Sequence, residues 1–258
     1  MLLLLSSLVF FFSLCRHEGP VWRVAWSHPR FGSLLASCGY DAKVIIWKEN
    51  QQTGEWDVFF EYAHESSINS VSWAPAECGA MLAVGSSDTN ITVLMHTGAG
   101  EATFKPVKFS AHQMGVCAVA FAPTAPMDGD NGRKPRMASG GCDNAVKIWT
   151  SSNNSTTWDE RKIGEHEGWV RDVAFAANIG TPRNVLASAS ADGTCKIFVD
   201  DKGDMADWTV ADTLRPGKSE VWCVSWSVSG QILAVTTADA AVTLYKEDLQ
   251  GKWNAVTD

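Results

Sequence analysis

Residues 137–149 read Met-Ala-Ser-Gly-Gly-Cys-Asp-Asn-Ala-Val-Lys-Ile-Trp and predict a β-hairpin. One short strand ends near Ser139, residues 140–144 form a turn, and the next strand runs from Val146 to Trp149. β-Branched and aromatic residues suit a packed, pleated surface, while Gly, Asp and Asn tolerate the positive φ angles of tight turns. One hairpin alone would not define a fold, but this one recurs along the chain.

The hairpin occurs five times, at intervals of roughly 50 residues. The aspartates at its turn are Asp41, Asp88, Asp143, Asp192 and Asp239. An apolar strand precedes each copy, at residues 21–26, 68–73, 116–121, 170–175 and 221–226. A repeat of this length, with several strands and no helical period, is typical of a β-propeller.

The repeats predict an all-β domain over residues 17–258. Its five four-stranded blades are expected at about residues 17–62, 64–110, 112–163, 166–214 and 217–258. The twelve tryptophans fall at equivalent positions in the repeats, which predicts that they pack between blades and do not stack on nucleotides. A formal net charge of −8 without a basic cluster also argues against nucleic-acid binding.

Residues 1–16 differ from the repeats, because residues 1–15 are almost wholly apolar. The segment is too short to span a bilayer, which takes about 20 residues. One hypothesis is a secretory signal, although the usual positively charged start is absent. The other is that the segment stands where the outer strand of a preceding repeat belongs, in a shortened or alternative form of a longer protein.

A set of His, Ser, Asp and Trp recurs with the hairpins. A catalytic triad would need one such set in one cleft, whereas a recurring set predicts a buried hydrogen-bond network that holds strand ends together. Val84 replaces the serine in the second repeat, and Gly217 replaces the histidine in the fifth. The predicted network comprises His17, Ser37, Asp41, Trp47, His64, Asp88, His112, Ser139, Asp143, Trp149, His166, Ser188, Asp192 and Asp239.

The sequence indicates no catalytic, metal or cofactor site. Its seven cysteines form no Cys-x-x-Cys pair, its six histidines lack metal-ligand spacing, and no Gly-rich phosphate loop precedes a helix. The cysteines are therefore expected to be buried free thiols in a reducing compartment. Cys38, Cys117, Cys195 and Cys223 lie in predicted strands, and Cys142 lies in a turn.

Several stretches go beyond the bare repeat signature. They are HEGPVWRVAWSHP at 17–29, SCGYDAKVIIWKE at 37–49, NSVSWAP at 69–75, GGCDN at 140–144, WVRDV at 169–173 and VWCVSWS at 221–227. Through them the chain, over residues 17–258, closely resembles the Sec-thirteen family, the small WD-repeat subunits of the outer COPII coat. The fold expected from this resemblance is a WD-repeat propeller.

The resemblance implies a six-bladed open propeller that is completed by a blade inserted from a partner. The implied partners are a Sec-thirty-one-type coat subunit, a nucleoporin of the Y-shaped nuclear pore complex, and a nutrient-signalling complex of the GATOR or SEA type. The implied locations are the cytoplasmic face of the endoplasmic reticulum membrane and its COPII vesicles, the nuclear pore, and the lysosomal or vacuolar membrane. Contact with a membrane is expected only through the coat.

Only five repeats are recognisable, and the family's first blade would precede His17. The chain is therefore expected to be less stable than a six-bladed relative and to bind its scaffold partner weakly or not at all. The alternatives are that the five blades close on themselves or that residues 8–15 add one strand to the open edge. The inner strand of the last blade is expected to face the partner, through Val221, Trp222, Val224 and Trp226.

Two alternatives come from other classes of protein. A secreted propeller would use residues 1–15 as a signal and would be cleaved near Arg16. An enzyme or a metal-delivery propeller would need an unrepeated polar cluster in the central channel. Other WD-repeat adaptors share the repeat but match the quoted stretches less well.

Overall fold

The computed structural model of the chain describes residues 15–98, 104–124, 134–152, 156–179 and 183–256. These residues form twenty strands in five four-stranded sheets, with two 3-10 turns at Pro29–Phe31 and Ala76–Cys78 and no α-helix. Within the same residues no helix is long and apolar enough to cross a bilayer. The predicted all-β fold with five four-stranded blades is confirmed. Residues 1–14, to which the signal hypothesis applies, lie outside the described residues.

The strands follow the chain through one sheet after another. The first sheet contains β1 (Val21–Trp26), β2 (Leu34–Gly39), β3 (Lys43–Glu49) and β4 (Trp56–Ala63). The second contains β5 (Ile68–Trp73), β6 (Met81–Ser86), β7 (Asn90–His96) and β8 (Phe104–Ser110). The third contains β9 (Val116–Phe121), β10 (Arg136–Gly141), β11 (Ala145–Ser152) and β12 (Thr157–Glu165).

The last two sheets repeat the same order. The fourth contains β13 (Val170–Phe175), β14 (Asn184–Ser190), β15 (Cys195–Asp200) and β16 (Thr209–Leu214). The fifth contains β17 (Val221–Trp226), β18 (Ile232–Thr237), β19 (Val242–Glu247) and β20 (Trp253–Ala255). Each sheet is an antiparallel meander whose hydrogen-bonded order is the chain order.

A tight turn joins the second and third strands of every sheet. In the third sheet the Asp143 carboxylate accepts the backbone N–H of Ala145 at 3.2 Å, and Asn144 between them has a φ of 64°. Short polar side chains favour such turns because they replace a backbone hydrogen bond and tolerate the left-handed region. The residues that follow the aspartates all have positive φ: Ala42, Thr89, Asn144, Gly193 and Ala240.

Four apolar cores lie between successive sheets. The core between the first two sheets joins Val44 and Ile46 of β3 to Ile68 and Val71 of β5, and all four are buried. Equivalent cores join the second sheet to the third, the third to the fourth and the fourth to the fifth. The innermost strands β1, β5, β9, β13 and β17 pack on one another in that order. The sheets therefore stand side by side as blades, as in a propeller.

One ion pair crosses the axis of the array. The Arg23 guanidinium on β1 donates to the Asp172 carboxylate on β13 at 2.9 Å, which joins the first sheet to the fourth. Asp172 is buried and also accepts the backbone N–H of Val224 on β17. The sequence analysis missed this pair, because nothing in a repeat pattern specifies which blades meet across the centre.

The tryptophans do not all pack between blades. Trp47 and Trp149 are buried as predicted, but about half of the surface of Trp22, Trp169 and Trp222 is exposed. Trp22 and Trp222 lie where β1 and β17 each carry one extra residue relative to the neighbouring strand, and such bulges re-aim a side chain. The prediction was therefore wrong for these exposed tryptophans.

Candidate functional site

Strand alternation gives every sheet two apolar flanks, because successive side chains point to opposite faces. We define the leading flank as the face turned towards the preceding sheet and the trailing flank as the face turned towards the following one. In the second sheet, Ile68 and Val71 of β5 belong to the leading flank and are buried on the first sheet. In the first sheet, Val44 and Ile46 of β3 belong to the trailing flank.

Among the described residues, no sheet covers the leading flank of the first sheet. Val21 and Val24 of β1 occupy the positions of Ile68 and Val71, yet they are 46% and 58% exposed, whereas Ile68 and Val71 are 0% and 3% exposed. Trp26 on the same strand is also exposed, and its ring centre lies 5.5 Å from that of Trp56 in an edge-to-face arrangement. Apolar side chains at positions that are buried in the second sheet are thus in contact with water in the first sheet.

The Trp26 position shows what this flank lacks. In the second sheet the indole N–H of Trp73 donates to the carbonyl of Ala25 at 3.0 Å, and in the fifth sheet Trp226 donates to Ala174 at 2.9 Å. In each pair the acceptor lies on the innermost strand of the preceding sheet. A strand packed against β1 could offer an equivalent backbone carbonyl to the indole N–H of Trp26.

The trailing flank of the fifth sheet is open as well. Val242 and Leu244 of β19 occupy the positions of Val44 and Ile46 in the turn-aligned repeats, yet they are 63% and 42% exposed. Ile232 at the start of β18 is exposed too. The opposite face of the same sheet is buried on the fourth sheet, so the exposure is confined to one flank.

The structure corrects the residues predicted to face a partner. Val221 and Val224 are buried in the core shared with the fourth sheet, and Trp226 binds a carbonyl of that sheet. The prediction was wrong for these three, because they lie on the leading flank, which the preceding blade covers. Trp222 is half exposed, but its ring lies over the Arg171 guanidinium at 4.7 Å.

Sequence reasoning missed the residues that are exposed at the two ends of the array. These are Val21, Val24, Val242 and Leu244. The signal was present in the alternation of the strands, which assigns each apolar position to one flank once the repeats are aligned. The last repeat should therefore expose its trailing flank and the first repeat its leading flank.

The predicted His, Ser, Asp and Trp side chains of the third repeat lie within hydrogen-bond distance of one another. The Trp149 indole N–H donates to Ser139 Oγ at 2.8 Å, and that hydroxyl lies 2.7 Å from His112 Nε2. On its other side, His112 Nδ1 lies 2.7 Å from the Asp143 carboxylate. Since Asp143 only accepts, the partners assign the proton to Nδ1, and the neutral ring is then satisfied at both nitrogens.

The environment shifts the titration of this pair in opposite ways. Burial lowers the pKa of His112, although the carboxylate of Asp143 opposes the shift. Burial of Asp143 disfavours its charged form, but His112 and two backbone N–H groups together hold its pKa below the ordinary value. Ser139 is fully buried and is already engaged by two partners, so its hydroxyl is not available as a nucleophile.

The other repeats carry more or less of the same set. The first has all four members, with His17 Nε2 at 2.8 Å from Ser37 Oγ and Nδ1 at 2.9 Å from the Asp41 carboxylate. In the fourth, His166 lies 2.7 Å from Ser188 and 3.0 Å from Asp192.

Two repeats have lost members of the set. In the second repeat, His64 reaches Asp88 at 2.9 Å, but its buried Nε2 has no partner, because Val84 replaces the serine. In the fifth repeat, Asp239 accepts from Thr237 and lacks a histidine. Across the described residues no group of three or more His, Cys, Asp or Glu side chains could hold a metal ion.

Comparisons with known proteins agree with this architecture. The model of the family "WD domain, G-beta repeat" matches residues 9–48, 104–150, 159–198 and 208–246. The chain is 42% identical to "Protein SEC13 homolog" of Drosophila melanogaster, over 92% of this chain and 68% of that protein. It is 39% identical to "Protein transport protein SEC13" of Mycosarcoma maydis, over 94% of this chain and 80% of the relative.

A third relative has a similar name. The chain is 39% identical to "Protein transport protein sec13" of Emericella nidulans, over 94% of this chain and 81% of the relative. The matches extend over nearly the whole chain in each case. The last three matched repeats each run from the outer strand of one sheet through the three inner strands of the next. The chain therefore belongs to the Sec-thirteen family of WD-repeat β-propeller proteins.

Proposed function

We propose that this protein is a non-enzymatic scaffold of protein transport, a subunit of the COPII vesicle coat that acts between the endoplasmic reticulum and the Golgi. Relatives at about 40% identity bear the name protein transport protein, which supports a transport role. The buried, repeated His, Ser and Asp set holds strand ends together and does not form an open catalytic cleft, which favours a structural role.

The observation that carries this proposal is the pair of open flanks. Val24 on β1 and Leu244 on β19 are exposed at positions that are buried in the sheets between them. Full burial of such a side chain stabilises an assembly by about 1.5–3 kcal/mol. Strands donated by a partner would cover the trailing flank of the fifth sheet and, in this five-bladed chain, also the leading flank of the first sheet, where the resemblance implies that the family's own first blade packs. Such strands would pair with exposed backbone, which is a common mode of recognition.

The proposed partner is a Sec-thirty-one-type coat subunit, whose donated strands complete the open propeller. We extend the proposal to a nucleoporin of the Y-shaped nuclear pore complex and to a nutrient-signalling complex of the GATOR or SEA type. The protein would then act at the cytoplasmic face of the endoplasmic reticulum, at the nuclear pore and at the lysosomal or vacuolar membrane. It would reach membranes through these assemblies and would not bind nucleic acid directly.

Affinity purification of the tagged full chain from its own cells tests the proposal. The sequence predicts weak binding or none without a first blade, but the two exposed flanks lead us to expect instead that the Sec-thirty-one-type subunit co-purifies, together with components of the other two assemblies. The matched control is the tagged Leu244→Asp variant, which places a charge on the trailing flank. Absence of all three assemblies from the wild-type purification would contradict the proposed function, as would their equal recovery with the variant.

A further inference from the structure

Two of the seven cysteines form a close pair that the scaffold role does not use. Cys38 and Cys195 are buried as the sequence predicted, but Cys117 and Cys142 are only partly buried. The Sγ atoms of Cys117 and Cys142 lie 3.3 Å apart. All seven cysteines are free, but the expectation that they are buried is correct only for Cys38 and Cys195.

A bulge in β9 brings the two thiols together. The register pairs Val116 with Gly141 and Ala118 with Gly140, so Cys117 between them has no partner across the strands. Cys142 follows β10 directly, and its backbone N–H donates to the carbonyl of Gly115 at 2.8 Å. A disulfide has a bond of about 2.05 Å, so the sulfurs would need to approach by about 1.3 Å.

The two thiols of this pair have pKa values that are shifted in opposite directions. The hydrogen bond from the Cys117 thiol lowers the pKa of Cys142 to about 7, and the positive charge of Arg171 acts in the same direction. Partial burial and the carboxylate of Asp143 oppose this shift. The same hydrogen bond, together with burial, raises the pKa of Cys117. Elsewhere burial raises the pKa of Cys223 to about 11.

The cation beside the pair is held in place by its own contacts. The Arg171 guanidinium lies 5.2 Å from the ring centre of Trp169 and 4.7 Å from that of Trp222. It also donates to the carboxylate of Glu220 at 3.0 Å. Cys142 is therefore a partly exposed thiol whose pKa lies near neutral pH, which is typical of reactive cysteines.

We propose that Cys142 and Cys117 form a redox modification site that takes hydroperoxides, with Cys142 as the attacking thiolate and Cys117 as the resolving thiol. The Cys142 sulfur attacks one peroxide oxygen and the O–O bond breaks, which gives a sulfenic acid and a hydroxide (or alkoxide) that takes up a proton. The Cys117 sulfur then attacks the sulfenic sulfur, the S–O bond breaks and water leaves. Two thiols are oxidised to one disulfide, and one peroxide is reduced by two electrons.

The disulfide would fix the bulge of β9 to the turn that carries Asp143. That turn holds His112, so oxidation would act on the hydrogen-bond network of the third blade. The bond would close a loop between residues 25 apart in the chain. A thiol reductant would reverse the modification.

The test uses the reduced full chain and hydrogen peroxide at neutral pH, followed by alkylation, digestion and mass spectrometry. We expect one linked peptide pair, Cys117 to Cys142, with the loss of two hydrogens. Cys117→Ser should leave a sulfenic acid on Cys142 that dimedone traps, whereas Cys142→Ser should leave Cys117 reduced. Cys223→Ser is the matched control and should form the same linkage as wild type.

Three results would overturn the proposal: no linked pair, oxidation of Cys117 in Cys142→Ser at the wild-type rate, or random linkage among all the cysteines. A measurement on the wild-type chain covers the case in which a serine variant does not fold. With limiting iodoacetamide at pH 7, Cys142 should be alkylated on the order of a hundredfold faster than Cys223. Equal labelling of the two would refute the assigned attacking thiolate.

Discussion

The repeated histidines show how single residues hold the blades together. In the third repeat a continuous series of hydrogen bonds runs from the Trp149 indole through the Ser139 hydroxyl and the His112 ring to the Asp143 carboxylate. Each of these polar groups therefore has a partner. In the second repeat, by contrast, His64 keeps its carboxylate but leaves a buried nitrogen unpaired. Such incomplete copies are tolerable in a scaffold, whereas a catalytic site would lose its activity.

Substitution of the turn aspartate tests the network. Asp143→Ala leaves the Nδ1–H of His112 and two backbone N–H groups without an acceptor, and we expect it to lower the free energy of unfolding by about 1–3 kcal/mol. Asp239→Ala is the matched control, because Asp239 has no histidine partner, and it should cost less. Urea unfolding followed by tryptophan fluorescence measures both. An Asp143→Ala variant as stable as wild type would contradict the network.

The histidines also predict how stability depends on pH. Burial lowers the pKa of His64, His112 and His166 in the folded chain, and the neighbouring carboxylates oppose this only in part. Below the ordinary value near 6.5, the unfolded chain therefore binds more protons than the folded chain, and the free energy of unfolding falls as the pH falls.

The measurement is urea unfolding at pH 8, 7, 6 and 5. We expect little change between pH 8 and 7 and a progressive loss of stability from about pH 6.5 downwards. The carboxylates of Asp88 and Asp192, whose pKa values are also lowered, add a further loss at more acidic pH. His28→Gln, at an exposed histidine, should keep this profile. A flat profile between pH 7 and 5 would show that burial of the rings does not control it.

At the scale of the sheet, the blades depend on close approach between neighbours. Gly140 of β10 faces β13 of the next blade, and an added Cβ would lie 2.8 Å from the Cβ of Val170. Real side chains essentially never approach so closely, so the two sheets would have to separate. A glycine at this position allows the inner strands of the third and fourth blades to pack together.

Gly140→Ala should lower the free energy of unfolding by about 1–3 kcal/mol, because overpacking shifts backbone in a closely packed core. Gly217→Ala is the matched control: a Cβ there meets nothing within 4 Å, and its φ is not positive. Thermal unfolding of both variants, followed by circular dichroism, checks the expectation. Equal melting temperatures for the two variants would show that the interface between these blades accommodates an added methyl group without strain.

The strands themselves could be predicted closely from the sequence. The inner strands β1 and β17 begin and end where the apolar runs predicted, because alternating β-branched and aromatic residues specify both the strand and its packed faces. The partner-facing residues could not be found in the same way. A single apolar run does not tell which of its two faces the neighbouring blade covers; only the alignment of the repeats does. The last repeat considered by itself therefore placed Val221 and Val224 on an exposed surface, although they are buried.

At the scale of the whole molecule, the sequence could not predict the contacts across the axis. Arg23 and Asp172 are 149 residues apart, and each belongs to a different repeat. A repeat pattern describes how each blade meets the next one, and a pair that spans the centre depends on the curvature of the whole array. The sequence could not predict the close approach of Cys117 and Cys142 either, because it depends on a β-bulge that shifts the register of β9 on β10.

The two open flanks lie at opposite ends of the array of five blades. Every flank between them is buried, so the exposed apolar surface is concentrated at the first and last sheets. This concentration distinguishes a surface made for a partner from the scattered apolar residues that most proteins expose. The central claim is that this surface binds the scaffold partner.

Isothermal titration of the full chain with a purified Sec-thirty-one-type subunit from the same organism tests this claim most directly. We expect Val24→Asp and Leu244→Asp each to weaken binding by roughly 10- to 100-fold, the loss of about 1.5–3 kcal/mol of apolar burial. Met114→Asp is the control, because Met114 is 54% exposed but precedes β9 of the third sheet, whose two flanks are covered by the neighbouring sheets. Binding by both flank variants as tight as that of wild type would contradict the account.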